Sequence, residues 1–151
     1  MKRRWKILIA VIAVIILSAL LLFVFPKRTL SARHAELLFR MHCSRFESVA
    51  TLALEQGTED GVSAPPGVSD IDLYETHSGC VDFNMGGFGL APSSAYWGVI
   101  YTVEDIPIGW GGLDVEYTWD GEGWYWQEEN SDNHSYVTKL SDHWYLYQMW
   151  F

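Results

Sequence analysis

Three sets of side chains in this sequence could do chemistry, and the spacing within each limits what that chemistry can be. The first set is acidic: Asp114, Glu116, Asp120 and Glu122 fall close together, with Glu128, Glu129 and Asp132 following. Asp114 and Glu116, two apart on an expected strand, share a face, while Asp120 and Glu122 flank an expected turn. Oxygen ligands gathered at loops can hold Ca2+, but the Asp-x-Asp-x-Asp-Gly run with its distal Glu is missing. Solvated turn acids are the plainer reading. Two of these carboxylates could also serve a glycosidase, which requires a pair about 5 to 9 Å apart across a cleft.

The second set is Cys43 and Cys80, the two cysteines of the chain. Cys43 falls on the apolar stripe of an expected helix and Cys80 starts an expected strand. In an oxidising compartment they could form a disulfide between helix and sheet. Closing a loop of about 37 residues would stabilise by roughly 3 to 4 kcal/mol. His42 beside Cys43, and the run His77-Ser78-Gly79-Cys80, allow a Cys2His2 zinc site as an alternative. Adjacent helical residues point about 100° apart, however, which disfavours His42 and Cys43 as joint ligands. A catalytic thiolate needs an electropositive setting, and this chain supplies an acidic one.

The third set is aromatic. Trp97, Trp110, Trp119, Trp124, Trp126, Trp144 and Trp150, with Tyr117, Tyr125, Tyr145 and Tyr147, exceed the needs of one small core. Trp144-Tyr145-Leu146-Tyr147 places rings on both faces of its strand, so the second face is either exposed or covered. Core packing and cross-strand pairs account for many of these rings. The functional reading is a ligand face of Trp119, Trp124, Trp126 and Trp144, presenting large rigid side chains to a glycan, a peptide or a membrane-protein partner. Nothing in the pattern calls for a cofactor.

The elements that must position these residues follow from periodicity. Residues 7–25 contain no charge and a single polar residue, Ser18, between Lys2, Arg3, Arg4, Lys6 and the flanking Lys27 and Arg28. That length matches the roughly 30 Å hydrocarbon core of a bilayer, so the expectation is one transmembrane helix held in lipid. A cleaved signal peptide would have an apolar run of about 7 to 15 residues and a small-residue cleavage site. The run here is longer, and the best candidate site, near Ser31-Ala32, is poor. Basic residues before the span put residues 1–6 in the cytoplasm as a short stub and the remainder outside. All 19 acidic residues follow the span, and from Phe46 to Phe151 there are 18 acids against one base, Lys139. So acidic a domain has no patch for phosphate contacts, which excludes nucleic acid as a partner.

Residues 27–151 suffice for a single domain. Residues 31–56 read as a helix, capped by Ser31, ended by Gly57 and striped by Phe39, Cys43, Phe46, Ala50 and Ala53. Glu36 and Arg40 form an i,i+4 pair. Residues 58–70, with two prolines and two glycines, form a loop. From residue 71 onward 18 of 81 residues are aromatic, interrupted at short intervals by Gly, Asn, Asp and Pro. That is antiparallel β composition. Strands are expected at 71–75, 80–84, 96–103, 113–119, 124–128, 135–140 and 144–151. Asp120-Gly121 between aromatic runs specifies a tight hairpin. Turns at 129–133 and 141–143 complete a four-stranded C-terminal meander. The glycines of 84–89 precede no helix, so they read as a bulged or flexible loop and not a phosphate cradle. The fold class is therefore α+β: one amphipathic helix packed on an antiparallel sheet, behind a transmembrane helix. Cystatin-like and pilin-like folds share this outline, but the processing-site Gly and the Glu within the span that mark pilins are both missing.

The successions VDFNMGGFGLAPSS at 81–94, DGEGWYWQ at 120–127 and WYLY at 144–147 resemble a group of small uncharacterised bacterial proteins with an N-terminal membrane anchor and an aromatic-rich extracytoplasmic domain. The resemblance spans most of the domain and implies an envelope location. It assigns no site residues. Together these readings describe a membrane-anchored binding or interaction module. A membrane-tethered hydrolase of wall glycan and an accessory subunit of a membrane complex are the alternatives.

Overall fold

Helix α1, Lys27–Gln56, starts four residues before Ser31, and Gly57, at φ 68, ends it in the left-handed conformation that glycine adopts without strain. These features come from a computed structural model that describes residues 27–90, 93–113 and 115–151. The expected span at 7–25 lies outside the described residues. Among the described residues no helix is long and apolar enough to cross a membrane. The chain divides between Ser31 and Ala32, and the fold belongs to the second unit, Ala32–Phe151.

From α1 the residues Ala32, Ala35, Phe39, Phe46, Val49, Ala50 and Ala53 are buried. Their spacing of three, four and seven is that of one helical stripe. Cys43 departs from the expectation, for it is exposed. The helix has a non-helical residue at His42 (φ −127, ψ 22), but Phe39 and Phe46 on either side keep to the stripe, and Cys43 lines an open hollow beside Leu140 and Ser141. The expected Glu36–Arg40 pair forms, at 2.8 Å on the solvent side.

The seven strands are β1 (Asp70–Tyr74), β2 (Cys80–Leu90), β3 (Ser93–Thr102), β4 (Thr118–Trp119), β5 (Trp124–Gln127), β6 (His134–Ser141) and β7 (Trp144–Trp150). They form one antiparallel sheet in the order β1-β2-β3-β7-β6-β5-β4. Two meanders thus meet where β3 pairs with β7. The C-terminal meander is the expected one, with its turns at the expected places. Asn130 (φ 60) and His143 (φ 66) take up the left-handed conformation in the second and third of them. The glycine run is not a loop but the distal half of β2, with a register shift between Asn84 and Gly86 where the Asn84 side chain accepts the Gly86 N–H at 3.0 Å. Of the expected strand 113–119 only Thr118–Trp119 joins the sheet, while Leu113 makes an isolated bridge to Gly109.

Each sheet face has its own core. On one face α1 covers Ile71, Val81, Phe83, Val99, Trp144 and Leu146. On the other, Cys80, Ile100, Val137, Tyr145 and Tyr147 are covered by the connection from β3 to β4, residues 103–117, which contributes Ile106, Ile108, Trp110 and Tyr117. This strap answers the aromatic excess, because it hides the second aromatic face of β7.

The strap is latched by Asp105, itself at φ 54. Its carboxylate accepts from Lys139 Nζ at 2.6 Å, from the His143 N–H at 2.8 Å and from the Tyr145 hydroxyl at 2.9 Å. Lys139 above all, then the His143 N–H and the Tyr145 hydroxyl, hold the carboxyl down at about 2. A depressed carboxyl stabilises the fold above its unfolded value near 4 and loses that contribution as pH falls toward 2. Asp105→Asn, which tolerates the same backbone angle, is expected to cost about 1 to 2 kcal/mol at pH 7 and little at pH 2, by denaturant titration at the two pH values. Equal losses at both would refute the ionic role.

Candidate functional site

Three of the four expected ligand tryptophans come together. Trp119 and Trp124 are cross-strand partners on β4 and β5, with ring centroids 4.7 Å apart and an edge-to-face tilt of 62°. Trp126, two residues beyond Trp124, shares its face. Trp124 is half-buried, its ring packed on Tyr145 at 5.7 Å, whereas Trp119 is 55 % exposed on a two-residue edge strand. Trp144 does not belong with them. It is 3 % exposed beneath α1, among Phe39, Phe46, Phe83 and Tyr101. Its pairing with Tyr101 turns it to the helix face, while Trp124 follows Val137 to the strap face.

Of the expected acidic site, Asp120 and Glu122 lie on the β4–β5 turn and Glu116 on the strap. Asp120 Oδ1 accepts the Glu122 and Gly123 N–H groups, each at 3.0 Å, while Gly121 takes φ 105. These bonds, Glu122 before Gly123, hold the Asp120 carboxyl below the usual carboxylate range. That oxygen is committed to shaping the hairpin. Glu116 and Glu122 are exposed, and Asp114 lies outside the described residues. Among the described residues no three His, Cys, Asp or Glu side chains are grouped to hold a metal ion.

The cysteines are free thiols, and the sheet alternation opposes the expected bridge. Cys80 is fully buried in the core under the strap, on the opposite face from α1 and Cys43. Burial, then the nearby Asp82, push its thiol up to about 12. It is an inert packing residue.

A polar group that the pattern did not single out lies in the same layer. Asp82, on β2 between Val81 and Phe83, is 1 % exposed. Its Oδ2 accepts the Gly111 N–H at 3.0 Å, from the short helical turn Trp110–Gly112 of the strap. Its Oδ1 has no hydrogen-bond partner among the described residues, and neither has the Tyr147 hydroxyl. Tyr147 reaches toward Asp82 over Gly98 of β3, where a Cβ would meet its hydroxyl at 2.5 Å. The hydroxyl stands near enough to favour the charged carboxylate, but outside ordinary hydrogen-bond geometry. Burial pushes the Asp82 carboxyl up to about 7 against the opposing pull of the Gly111 N–H and Tyr147. Across the β1–β2 pair stands Asp72, raised by its own burial and then by Asp70 and Glu59. Two perturbed carboxyls on neighbouring strands are what an acid–base pair would need, but the strap seals the inner one from any substrate. The available signal was an Asp in an otherwise apolar stretch of strand, Cys80-Val81-Asp82-Phe83.

An open groove of about 470 Å3 lies at the β2–β3 hairpin, with Asp70 and Asn84 on one side and Tyr96 on the other. Gly87 keeps it open, since a Cβ there would meet the Tyr96 ring at 2.6 Å. Among protein-family models, curated proteins and solved structures, none matches this chain.

Proposed function

We propose that residues 7–25 anchor the protein in a membrane as a single span, that the N-terminus is cytoplasmic, and that the acidic α+β domain stands outside as a binding module. The uncharged nineteen-residue run and its basic flank support the anchor, and the resemblance to small anchored envelope proteins agrees with it. The ligand surface is the β4–β5 edge. The observation that carries this is Trp119: a large ring 55 % exposed, braced edge-on by Trp124, on a strand with an unpaired outer edge.

A braced indole loses little freedom when a ligand covers it, so its burial converts efficiently into affinity. Glu116, Asp120 and Glu122 around it repel anionic ligands, which leaves neutral glycan rings or basic peptide segments as the matching chemistry. Trp119→Ala is expected to lower retention on insoluble wall glycan or on a basic peptide resin at least tenfold, with the circular dichroism spectrum unchanged. Undiminished retention on whichever matrix holds the wild type, or retention of the wild type on neither, would remove the β4–β5 edge as the binding surface. The anchor is tested separately by alkaline extraction of membranes, from which the chain should not be released.

A further inference from the structure

We propose that the outer edge of β1 receives an extended segment of another protein as an eighth strand, a segment in which lysine or arginine alternates with apolar residues. This edge is at the opposite end of the sheet from Trp119 and does not rest on the β4–β5 reading. The first ground is that the edge is open. β1 ends the sheet, and among the described residues no backbone hydrogen bond reaches its outer side from elsewhere in the chain. Edge strands are commonly blunted by proline, lysine or a bulge. Asp70-Ile71-Asp72-Leu73-Tyr74 has none of these and pairs with β2 in unbroken register. There is room beside it at both ends. The β2–β3 groove opens at Asp70, and a second hollow, of about 410 Å3, opens at Leu73 and Tyr74 against Leu54 and Glu59.

The second ground is the chemistry of the two faces. Asp70, Asp72 and Tyr74 share the face of Asp82 and Cys80, whereas Ile71 and Leu73 turn to α1. Asp72 stands close to Asp70 and Glu59, and among the described residues none of these three carboxylates meets a base. The last turn of α1, at the same hollow, carries no base to offset the negative end of the helix dipole. Arg45 is spent on the Ser63 carbonyl at 3.0 Å and Lys139 on Asp105 at 2.6 Å, so the matching cations come from a partner. A second copy of β1 would set Asp70 and Asp72 against their own kind, which opposes edge-to-edge pairing of two copies. A strand with alternating bases sets them beside Asp70 and Asp72 and its apolar side chains beside Ile71 and Leu73, while its backbone completes the open ladder.

The probe is the peptide fluorescein-Lys-Val-Lys-Val-Lys-amide, titrated by anisotropy with the full-length chain in a neutral detergent at low salt. Saturable binding is expected. The double variant Asp70→Asn with Asp72→Asn, its fold checked by circular dichroism, should bind at least tenfold more weakly, and Trp119→Ala should bind as the wild type does. A second measurement needs only the wild-type chain. Alternate residues of an added strand turn their N–H groups to β1, so N-methylation of all the lysines or of both valines should weaken binding at least tenfold in one case and leave it in the other. No saturable binding, equal binding by the Asn variant, or the same response to both methylation patterns overturns the proposal. Binding lost in Trp119→Ala and kept in the Asn variant also overturns it, and places the peptide at the β4–β5 edge.

Discussion

Replacing Asp82 with Asn is expected to stabilise the protein by about 2 kcal/mol at pH 8 and to give no gain at pH 4. The sign follows from the direction of the shift. The folded carboxyl, at about 7, lies above its unfolded value of 3.8, so the folded state holds the extra proton between those limits. The contribution of Asp82 is therefore fullest below about pH 4, falls as pH rises toward 7, and is level above that. The shift corresponds to at most about 4 kcal/mol. Asparagine keeps the acceptor for the Gly111 N–H but brings an amide donor with no assured partner, an offset of about 1 to 3 kcal/mol. Denaturant unfolding of both proteins at pH 4, 6 and 8 reads the difference, and two parallel stability curves would show that Asp82 ionises as freely in the folded state as in the unfolded one.

The second large effect separates core from surface among the tryptophans. Trp144→Ala is expected to cost about 3 to 5 kcal/mol, enough to unfold a domain of ordinary stability. Its ring fills the space between Phe39 at 4.9 Å, Tyr101 at 5.2 Å and Phe83 at 5.7 Å, and α1 cannot collapse onto the sheet without disturbing Phe46 as well. Trp119→Ala, more than half exposed, should cost less than about 1 kcal/mol. Thermal unfolding of the two variants checks this. Similar losses in both would mean that the division of the four tryptophans into one core ring and three edge rings is mistaken.

That division marks the limit of what pattern alone could reach. The strand 144–150 was legible, and so was the presence of rings on both its faces, because alternation is a property of the strand. Which ring met the helix depended on pairing with Tyr101, a residue more than forty positions away. The Asp120-Gly121 hairpin was legible for the opposite reason, since the side chain that shapes it bonds to N–H groups two and three residues on. Cys43 misled because periodicity shows which face of the helix a residue is on and not what stands opposite it, and opposite Cys43 is an open hollow beside Leu140 and Ser141. The strand expected at 113–119 mostly became strap: its residues have β-forming side chains, but only Thr118 and Trp119 pair with β5, while Tyr117 before them packs into the core on the β6–β7 face.

By itself the sequence determined the local elements: a helix closed by Gly57, β-strands rich in aromatics, the turns of a C-terminal meander, and a strongly acidic domain with a single base after Arg45. These depend on neighbours within a few residues, where propensity and side-chain-to-backbone bonds act. Tertiary structure alone decided that two meanders join at β3 and β7, that the strap makes a second core, and that Asp82 is sealed within it beside Tyr147. Those outcomes rest on contacts between segments distant in the chain, and burial, the term that makes Asp82 unusual, exists only once those segments have closed over it.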